Sequence, residues 1–458
     1  MKIIVSVIRA FYCFAALAFL ASCSRFLDKK ADSSIDTPNS IQVLQALLDN
    51  SDVFNISITP AFGEASADDY FVEETTLKTL EERLSSIYTW NPIPYKYSND
   101  WSACYTTVYY ANLCLESIEK IPRNPANESQ WDYIKGAALF HRAYAFLNLA
   151  WTFSKAYDEA SANTDMGIDL RLQSDFKVPS KRSSVAETYE RIISDAKASL
   201  IYLPDSTNHV FRPSRAAASG LLARAYLSMR NYDSAFKYAD ICLSIKSDLL
   251  DYNTVTDNDN PFSNTAYNGE TIFYSSMNFS SPQELLERNY GRAMIDTLLY
   301  SQYDENDLRK TLFFISNGSY FEFKGMYSVG VSRYFTGIAL DEIYLIHAEC
   351  SVRLGRSQIA LKDLNELLRK RWNKDDAYKE LALNDDKEVL ALVLKERRKE
   401  LLMRGLRWAD IKRLNKEGAN IVPARFVDGA VIELPVNDSR YALPLPDDII
   451  NITGMQQN

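Results

Sequence analysis

Histidine and cysteine are scarce: three of the 458 residues are His and six are Cys. With only His141, His209 and His347 present, a zinc site built on imidazole and thiolate is not expected. Two of the six cysteines, Cys13 and Cys23, lie near the start of the chain. Cys104 and Cys114 share one helical pattern, separated by a rise of about 15 Å, too far for a disulfide. Cys242 and Cys350 occupy small-residue positions within helices and read as packing thiols, so no disulfide framework is expected. An excess of positive charge is also missing. The formal net charge is −9, which argues against nucleic acid as a partner, because phosphate backbones require clustered cations. Beyond the first few turns of sequence no run approaches the roughly 18 apolar residues of a membrane-spanning helix. Nor is there a G-x-S-x-G elbow, a glycine-rich phosphate loop or an H-E-x-x-H pair, and the chain does not read as an enzyme. Asp257-Asn258-Asp259-Asn260 starts like a calcium loop, but Pro261 and the missing glycine and distal glutamate break the EF-hand pattern. It reads as a plain acidic turn, and no metal or cofactor is expected.

What is present begins with an export signal. Lys2 and Arg9 form a basic start, and Phe11 to Leu20 is an apolar core too short to span a bilayer. It ends in Leu20-Ala21-Ser22-Cys23, which is similar to the lipobox of bacterial lipoproteins. Residues 1–22 are then a signal peptide and Cys23 is the lipidation site, anchoring the chain without spanning the membrane.

The mature part reads as mainly α. Residues Ser219 to Leu243 carry Leu222, Ala223, Ala225, Tyr226, Tyr232, Ala235 and Leu243, the pattern of a tetratricopeptide pair of antiparallel helices with Asn231 in the tight turn. A second unit runs from Tyr344 to Leu368, with Ala348, Gly355 and Ala360 at equivalent small positions. Weaker units pair Tyr133–Phe153 with Ser184–Leu203, and Val389–Arg404 with Trp408–Leu414. Stacked pairs predict a helical-pair solenoid, with repeats over about 133–244 and 341–414. Between them, residues 245–340 are rich in Asn, Ser, Gly and aromatics and read as a loop-rich insertion with minor strands. Phe62 to Tyr70 reads as an acidic loop. Phe426–Glu433 reads as a hairpin around Asp428-Gly429.

Aromatics make up 12% of the chain, with 28 Tyr. Flat aromatic faces that a ligand can stack on, with amides or charges beside them to meet its polar groups, make candidate binding residues. Such sites favour loops held on a rigid scaffold. The segment Tyr88 to Asp100 cannot be a regular element, because Pro92 and Pro94 interrupt it. It offers Trp90, Tyr95, Tyr97 and Asn99. The insertion offers Tyr320, Phe321 and Tyr327. The bland alternative is that such rings plug a junction of the core; Trp101, which opens a helix with Tyr105 and Tyr109, is assigned that role. The candidate ligand-binding set is therefore Trp90, Tyr95, Tyr97, Asn99, Tyr320 and Tyr327.

Residues Glu396 to Arg413, reading E-R-R-K-E-L-L-M-R-G-L-R-W-A-D-I-K-R, combine charges with an apolar stripe through Leu390, Leu394 and Leu401, and Gly405 is expected to stop the helix. Taken alone, the cluster reads either as a catalytic centre or as an ion-pair clamp. With the rest of the chain it resembles the E-R-R-x-E-L then G-x-R-W-x-D-x-x-R signature of the SusD/RagB family of Bacteroidetes outer-membrane lipoproteins. Cys23-Ser24-Arg25-Phe26-Leu27-Asp28 is similar to the family's C-x-x-F-L-D start. Gly136-Ala137 with Arg142-Ala143-Tyr144-Ala145-Phe146 resembles its first repeat helix. Ser183-Ser184-Val185-Ala186-Glu187 resembles the next, and Leu443-Pro444-Leu445-Pro446 with Gln456-Gln457-Asn458 completes the series. Three positions depart from the pattern: Arg404 stands for Glu, Asp169 for Pro after Gly167-Ile168, and Ile452 for Pro after Asn451. The resemblance implies one SusD-like domain over 23–458 on the cell surface, anchored to the outer membrane. It also implies an oligosaccharide ligand delivered to a SusC-like TonB-dependent transporter. Two other readings stand beside it: a peptide-binding member of the same family, and a glycan hydrolase with a carboxylate pair about 5–9.5 Å apart. The cluster itself then holds the last helical pair against the C-terminal segment.

Overall fold

The computed structural model describes residues 38–93, 99–262, 268–279, 281–327 and 333–458. Helices dominate the unit Ser40–Asn458. The longer ones are α1 (Ile41–Leu48), α2 (Asp100–Ile118), α3 (Glu128–Phe153), α4 (Val185–Tyr202), α5 (Arg215–Ser228), α6 (Tyr232–Ile245), α7 (Leu340–Arg353), α8 (Ser357–Arg369), α9 (Asp386–Glu400) and α10 (Arg407–Asn415). From α2 to α7 each helix packs on the next, and α7 also carries α8 and α9. This is the predicted solenoid wall, in which each pair buries the face its neighbour exposes.

Local chemistry sets the pairs. At Gly136 in α3 a Cβ would come within 2.9 Å of Tyr202 Cβ and Leu203 Cγ, so only glycine lets α4 approach this closely. The start of α4 is a capping box: Ser184 Oγ accepts the Glu187 N–H at 3.1 Å, and Glu187 Oε2 accepts the Ser184 N–H at 2.8 Å. Buried Arg142 of α3 donates to Asp195 of α4 at 2.7 Å and to Asn112 of α2 at 2.9 Å, tying three helices through one guanidinium. Asn231 caps α6 by accepting the Ser234 N–H at 3.1 Å, directly after Arg230 at φ 62°. The four cysteines Cys104, Cys114, Cys242 and Cys350 are free and buried.

Short antiparallel strand pairs join the helices: β1 (Tyr70–Phe71) with β5 (Met294–Ile295), β2 (Met166–Asp169) with β3 (Arg182–Ser184), β4 (Thr271–Phe273) with β8 (Ile338–Ala339), β6 (Phe314–Asn317) with β7 (Tyr320–Phe323), and β9 (Ala424–Val427) with β10 (Ala430–Glu433). The β9–β10 turn has Asp428 at φ 49° and Gly429 at φ 78°, both left-handed as a two-residue hairpin requires. The β4–β8 pair fastens the insertion to the start of α7.

Two expectations are revised. Phe62 to Tyr70 is not a solvated acidic loop: a short helix, Phe62–Ser66, leads to β1, and Glu64 and Asp69 are each 1% exposed. Nor is the last pair a hairpin of its own. After the Gly405 turn (φ 74°), α10 packs chiefly on Phe62–Ser66 and α3. Gly63 lies directly under Trp408, where a Cβ would sit 3.3 Å from that of the tryptophan.

The charges of the Glu396–Arg413 stretch are wholly or largely buried, and all but Lys412, which donates to the Trp151 and Ser154 carbonyls, meet a group of opposite charge. Arg309 reaches Glu396 at 2.7 Å and Glu400 at 2.9 Å, and Arg371 reaches Glu400 at 2.8 Å. Arg397 meets Asp410 at 2.8 Å, and Arg413 meets Glu349 at 2.6 Å. Arg398 meets Asp69 at 2.8 Å and Arg407 meets Asp68 at 2.7 Å. Burial favours neutral Asp410, but Arg397 and Arg413 outweigh it and hold the carboxyl down at about 2. The clamp reading holds, with a different object: these ion pairs grip the 68–69 segment, α7 and the 307–309 turn, not the C-terminal segment.

Candidate functional site

The segment after Tyr88 starts on a strained residue. Trp90 has φ 57°, a left-handed backbone that a bulky side chain adopts only when its surroundings dictate it. They do: its indole N–H donates to the Ser66 carbonyl at 3.0 Å, the Arg425 guanidinium lies 5.0 Å from its ring centre, and the residue is 6% exposed. Arg425 also covers Tyr70 and Tyr88, at 5.2 and 4.4 Å. Trp90 therefore anchors the loop, and its indole has little face left for a ligand. Its edge, with Asn91 to Ile93, borders a cleft of about 350 Å³ whose other wall includes Arg440, Pro444 and Asn458. Tyr95 and Tyr97 lie outside the described residues. Asn99 is 4% exposed and caps α2, accepting the Ser102 N–H at 2.9 Å while Ser102 Oγ accepts its own N–H at 3.0 Å. That side chain serves the helix terminus.

The insertion divides in the same way. Tyr327 is 2% exposed, with Tyr252 Oη bonded to its hydroxyl and Arg404 lying 4.6 Å from its ring centre. Burial holds its phenol well above its ordinary range. It is a core residue and is withdrawn from the ligand set, because no face of it meets solvent. Tyr320 is different. It opens β7 half-buried, its ring edge-on to Phe71 of β1 at 4.9 Å. Its neighbour Phe321 stacks on Tyr300 at 3.9 Å, so two successive residues of the strand are braced from opposite sides.

Next to Tyr320 lies a group that the sequence pattern did not single out. Tyr290 is 53% exposed, its ring carries the Arg292 guanidinium at 4.3 Å from its centre, and Arg292 also donates to the Glu284 carbonyl at 3.1 Å. Arg83 faces Glu284 at 3.7 Å. Between Tyr290 and Arg292, a Cβ on Gly291 would meet Asn317 Nδ2 at 3.2 Å and Glu322 Oε1 at 3.4 Å of the β6–β7 hairpin, which joins Tyr290 and Tyr320 into one surface. Trp90 does not share it: the Arg425 that lies over Trp90 also covers Tyr70, whereas Tyr320 meets Phe71, the next residue of β1, which points to the opposite face. The surface thus offers ring faces (Tyr290, Tyr320) beside guanidinium and carboxylate groups (Arg83, Arg292, Glu284). Those are the donors and acceptors that sugar hydroxyls require. Tyr290 follows no helical or strand period, and only its exposure together with Arg292 marks it out.

One buried constellation resembles a cation site. Oxygens of Glu270, Asp341 and Glu400 converge within 4.8 Å. Arginines serve them instead: Arg371 bridges Glu270 at 2.9 Å and Glu400 at 2.8 Å, and Arg404 donates to Asp341 at 3.0 Å. Burial still lifts Glu270 to about 7. The chemistry here is that of a charge-balanced core.

Comparison with known proteins accords with this architecture. Residues 25–227 match the profile described as "Starch-binding associating with outer membrane", and residues 251–458 match that of the SusD family. No curated protein is significantly similar in sequence. Among solved structures, a SusD superfamily protein from Bacteroides thetaiotaomicron superposes with a TM-score of 0.75 at 21% identity, covering 92% of this chain and 99% of its own. A SusD superfamily protein from Bacteroides vulgatus gives 0.73 at 21%, covering 92% and 98%. A SusD-like carbohydrate binding protein from the same species gives 0.69 at 17%, covering 91% and 97%. At these identities the superpositions speak to fold alone. The two profile matches, running through both halves of the chain, place this protein in the SusD/RagB family.

Proposed function

We propose that this protein captures an oligosaccharide at the outer membrane and passes it to a SusC-like TonB-dependent transporter, held there by lipid on Cys23. The observation that carries the reading is the Tyr290–Tyr320 surface, where two aromatic rings stand beside Arg83, Arg292 and Glu284 on a braced hairpin. Family membership and the carbohydrate-binding protein of the same fold support it. Tyr95 and Tyr97 belong to the same proposal as further stacking residues. Function here is binding without bond cleavage: the ring faces hold the apolar side of a pyranose and the charged groups take its hydroxyls.

Calorimetric titration with maltoheptaose and a panel of other neutral oligosaccharides tests this. Each ring contributes about 1 kcal/mol, so the Tyr290→Ala/Tyr320→Ala double variant is expected to bind about thirtyfold more weakly. Unchanged affinity in that variant would move the site elsewhere. Wild-type protein that binds peptides and no glycan would favour the peptide reading, and turnover of a labelled oligosaccharide would favour a hydrolase. Delivery is tested separately: affinity purification from the native membrane is expected to bring down a TonB-dependent barrel, and its absence removes the transport step.

A further inference from the structure

Outside the Tyr290–Tyr320 surface, a cleft of about 510 Å³ opens between α2, the β2–β3 connection and the helix Asp447–Thr453. Its composition is distinctive. Of 17 lining residues, five are aromatic, nine are polar and only three are aliphatic. A sugar ring needs flat aromatic carbon beside hydroxyl-matching groups, and this lining offers both. Tyr105 and Tyr109 sit one turn apart on α2, a rise of about 6 Å, and the Tyr109 and Tyr110 rings meet edge to face at 5.1 Å. Phe176 stands at the rim 80% exposed, which leaves its ring open to a ligand.

The opposite wall is built and held. Asn112 Nδ2 donates to the carbonyls of Arg171 at 2.9 Å and Gln173 at 3.2 Å. Arg171 ties back to Ser180 at 2.9 Å and to the Asp175 carbonyl at 2.9 Å. The Ser174 N–H donates to Glu116 at 2.7 Å. Phe176 is thus carried by a connection that is tied to α2 and to itself. The floor carries Asp169, 6% exposed, its carbonyl accepting the Tyr105 hydroxyl at 2.6 Å and its carboxylate 3.8 Å from Arg171. Asp169 is one of the three departures from the family pattern. A second, Ile452, lies on the helix that supplies Ile449 and Thr453 to the facing wall.

We infer that this cleft is a second carbohydrate-binding site, with Tyr109 and Phe176 as stacking faces and Asp169 and Arg171 as hydroxyl partners. It rests on the carbohydrate reading above but shares no residue with the Tyr290–Tyr320 surface. Titration of the full chain with maltoheptaose and the same neutral panel is expected to give a stoichiometry of two. The Tyr109→Ala/Phe176→Ala variant should lose one binding class, weakened by about tenfold or more, and retain the other. The Tyr290→Ala/Tyr320→Ala variant should do the converse. Phe176→Ala alone serves as a control for folding, since that ring packs on little. A stoichiometry of one that Tyr109→Ala/Phe176→Ala leaves untouched overturns the second site and keeps the first. Wild-type protein that binds no member of the panel overturns both.

Discussion

Glu64 shows how far burial can turn a side chain from its ordinary chemistry. It is 1% exposed, one oxygen accepts the Gly405 N–H at 2.8 Å, and the other has no hydrogen-bond partner. Burial, reinforced by the Asp69 charge, pushes it up to about 8 from 4.5. Folded protein therefore retains a proton there that unfolded chain releases. That contribution to stability is complete below about 4.5 and is lost as pH rises through about 8. Glutamine keeps the acceptor for Gly405 and cannot ionise. Glu64→Gln is thus expected to melt several degrees above wild type at pH 8, with the gain vanishing towards pH 4.5. Melting curves at both pH values check it, and a variant less stable than wild type at pH 8 would mean that a charged Glu64 is the stabilising form. Arg404 makes the complementary point. Where the family pattern has Glu, this chain puts a cation against Asp341, Tyr327 and Phe335. A carboxylate there would join Glu270, Asp341 and Glu400 with no added counter-charge, which rationalises the departure.

At the scale of elements, the strong helical pairs were legible because their signal is local. Ala and Gly at close-approach positions, Asn231 at a cap and Ser184 with Glu187 at another all act within a few residues. What α10 packs against was not legible, because it is decided across 341 positions, where the Gly405 N–H meets Glu64, and by Trp408 lying over Gly63. The same distinction governs the candidate residues. Trp90, Asn99 and Tyr327 have the right composition for a ligand loop, but Ser66, Ser102 and Arg404 occupy their polar groups or faces, and no spacing along the chain announces that. Arg407 tests the clamp at this scale. Its guanidinium holds Asp68 at 2.7 and 2.9 Å and lies 3.6 Å from Asp69. Alanine leaves those buried carboxylates to Arg398 alone, a loss on the order of 3–5 kcal/mol. Arg407→Ala is expected to lower the melting temperature markedly while leaving ligand affinity per folded molecule unchanged. A fully stable variant that no longer binds would place Arg407 in the site instead.

For the whole molecule, the order of motifs was sufficient to name the family and the helical architecture, while the proposed ligand surface needed three dimensions, since the packing of Gly291 on the β6–β7 hairpin brings Tyr290 to the side that carries Tyr320. The proposed attachment to the membrane lies at the other end of the chain. Among the described residues no helix is long and apolar enough to cross a bilayer, and the family match reads as outer-membrane association. The sequence feature that offers an anchor is Leu20-Ala21-Ser22-Cys23. A diacylated cysteine adds two acyl chains, each methylene worth about 0.8 kcal/mol when buried, enough for stable attachment where a single chain is marginal. Cys23→Ser removes the thiol that the proposed lipidation needs. Wild-type protein is therefore expected to sediment with outer membranes, partition into the detergent phase of a Triton X-114 separation and incorporate labelled palmitate. The Cys23→Ser protein should appear in the aqueous phase without label and bind oligosaccharide with unchanged affinity, because every residue of the Tyr290–Tyr320 surface lies in the unit that begins at Ser40. Detergent-phase partitioning that survives the substitution would place the anchor elsewhere, and a loss of ligand affinity would tie binding to the lipidated terminus.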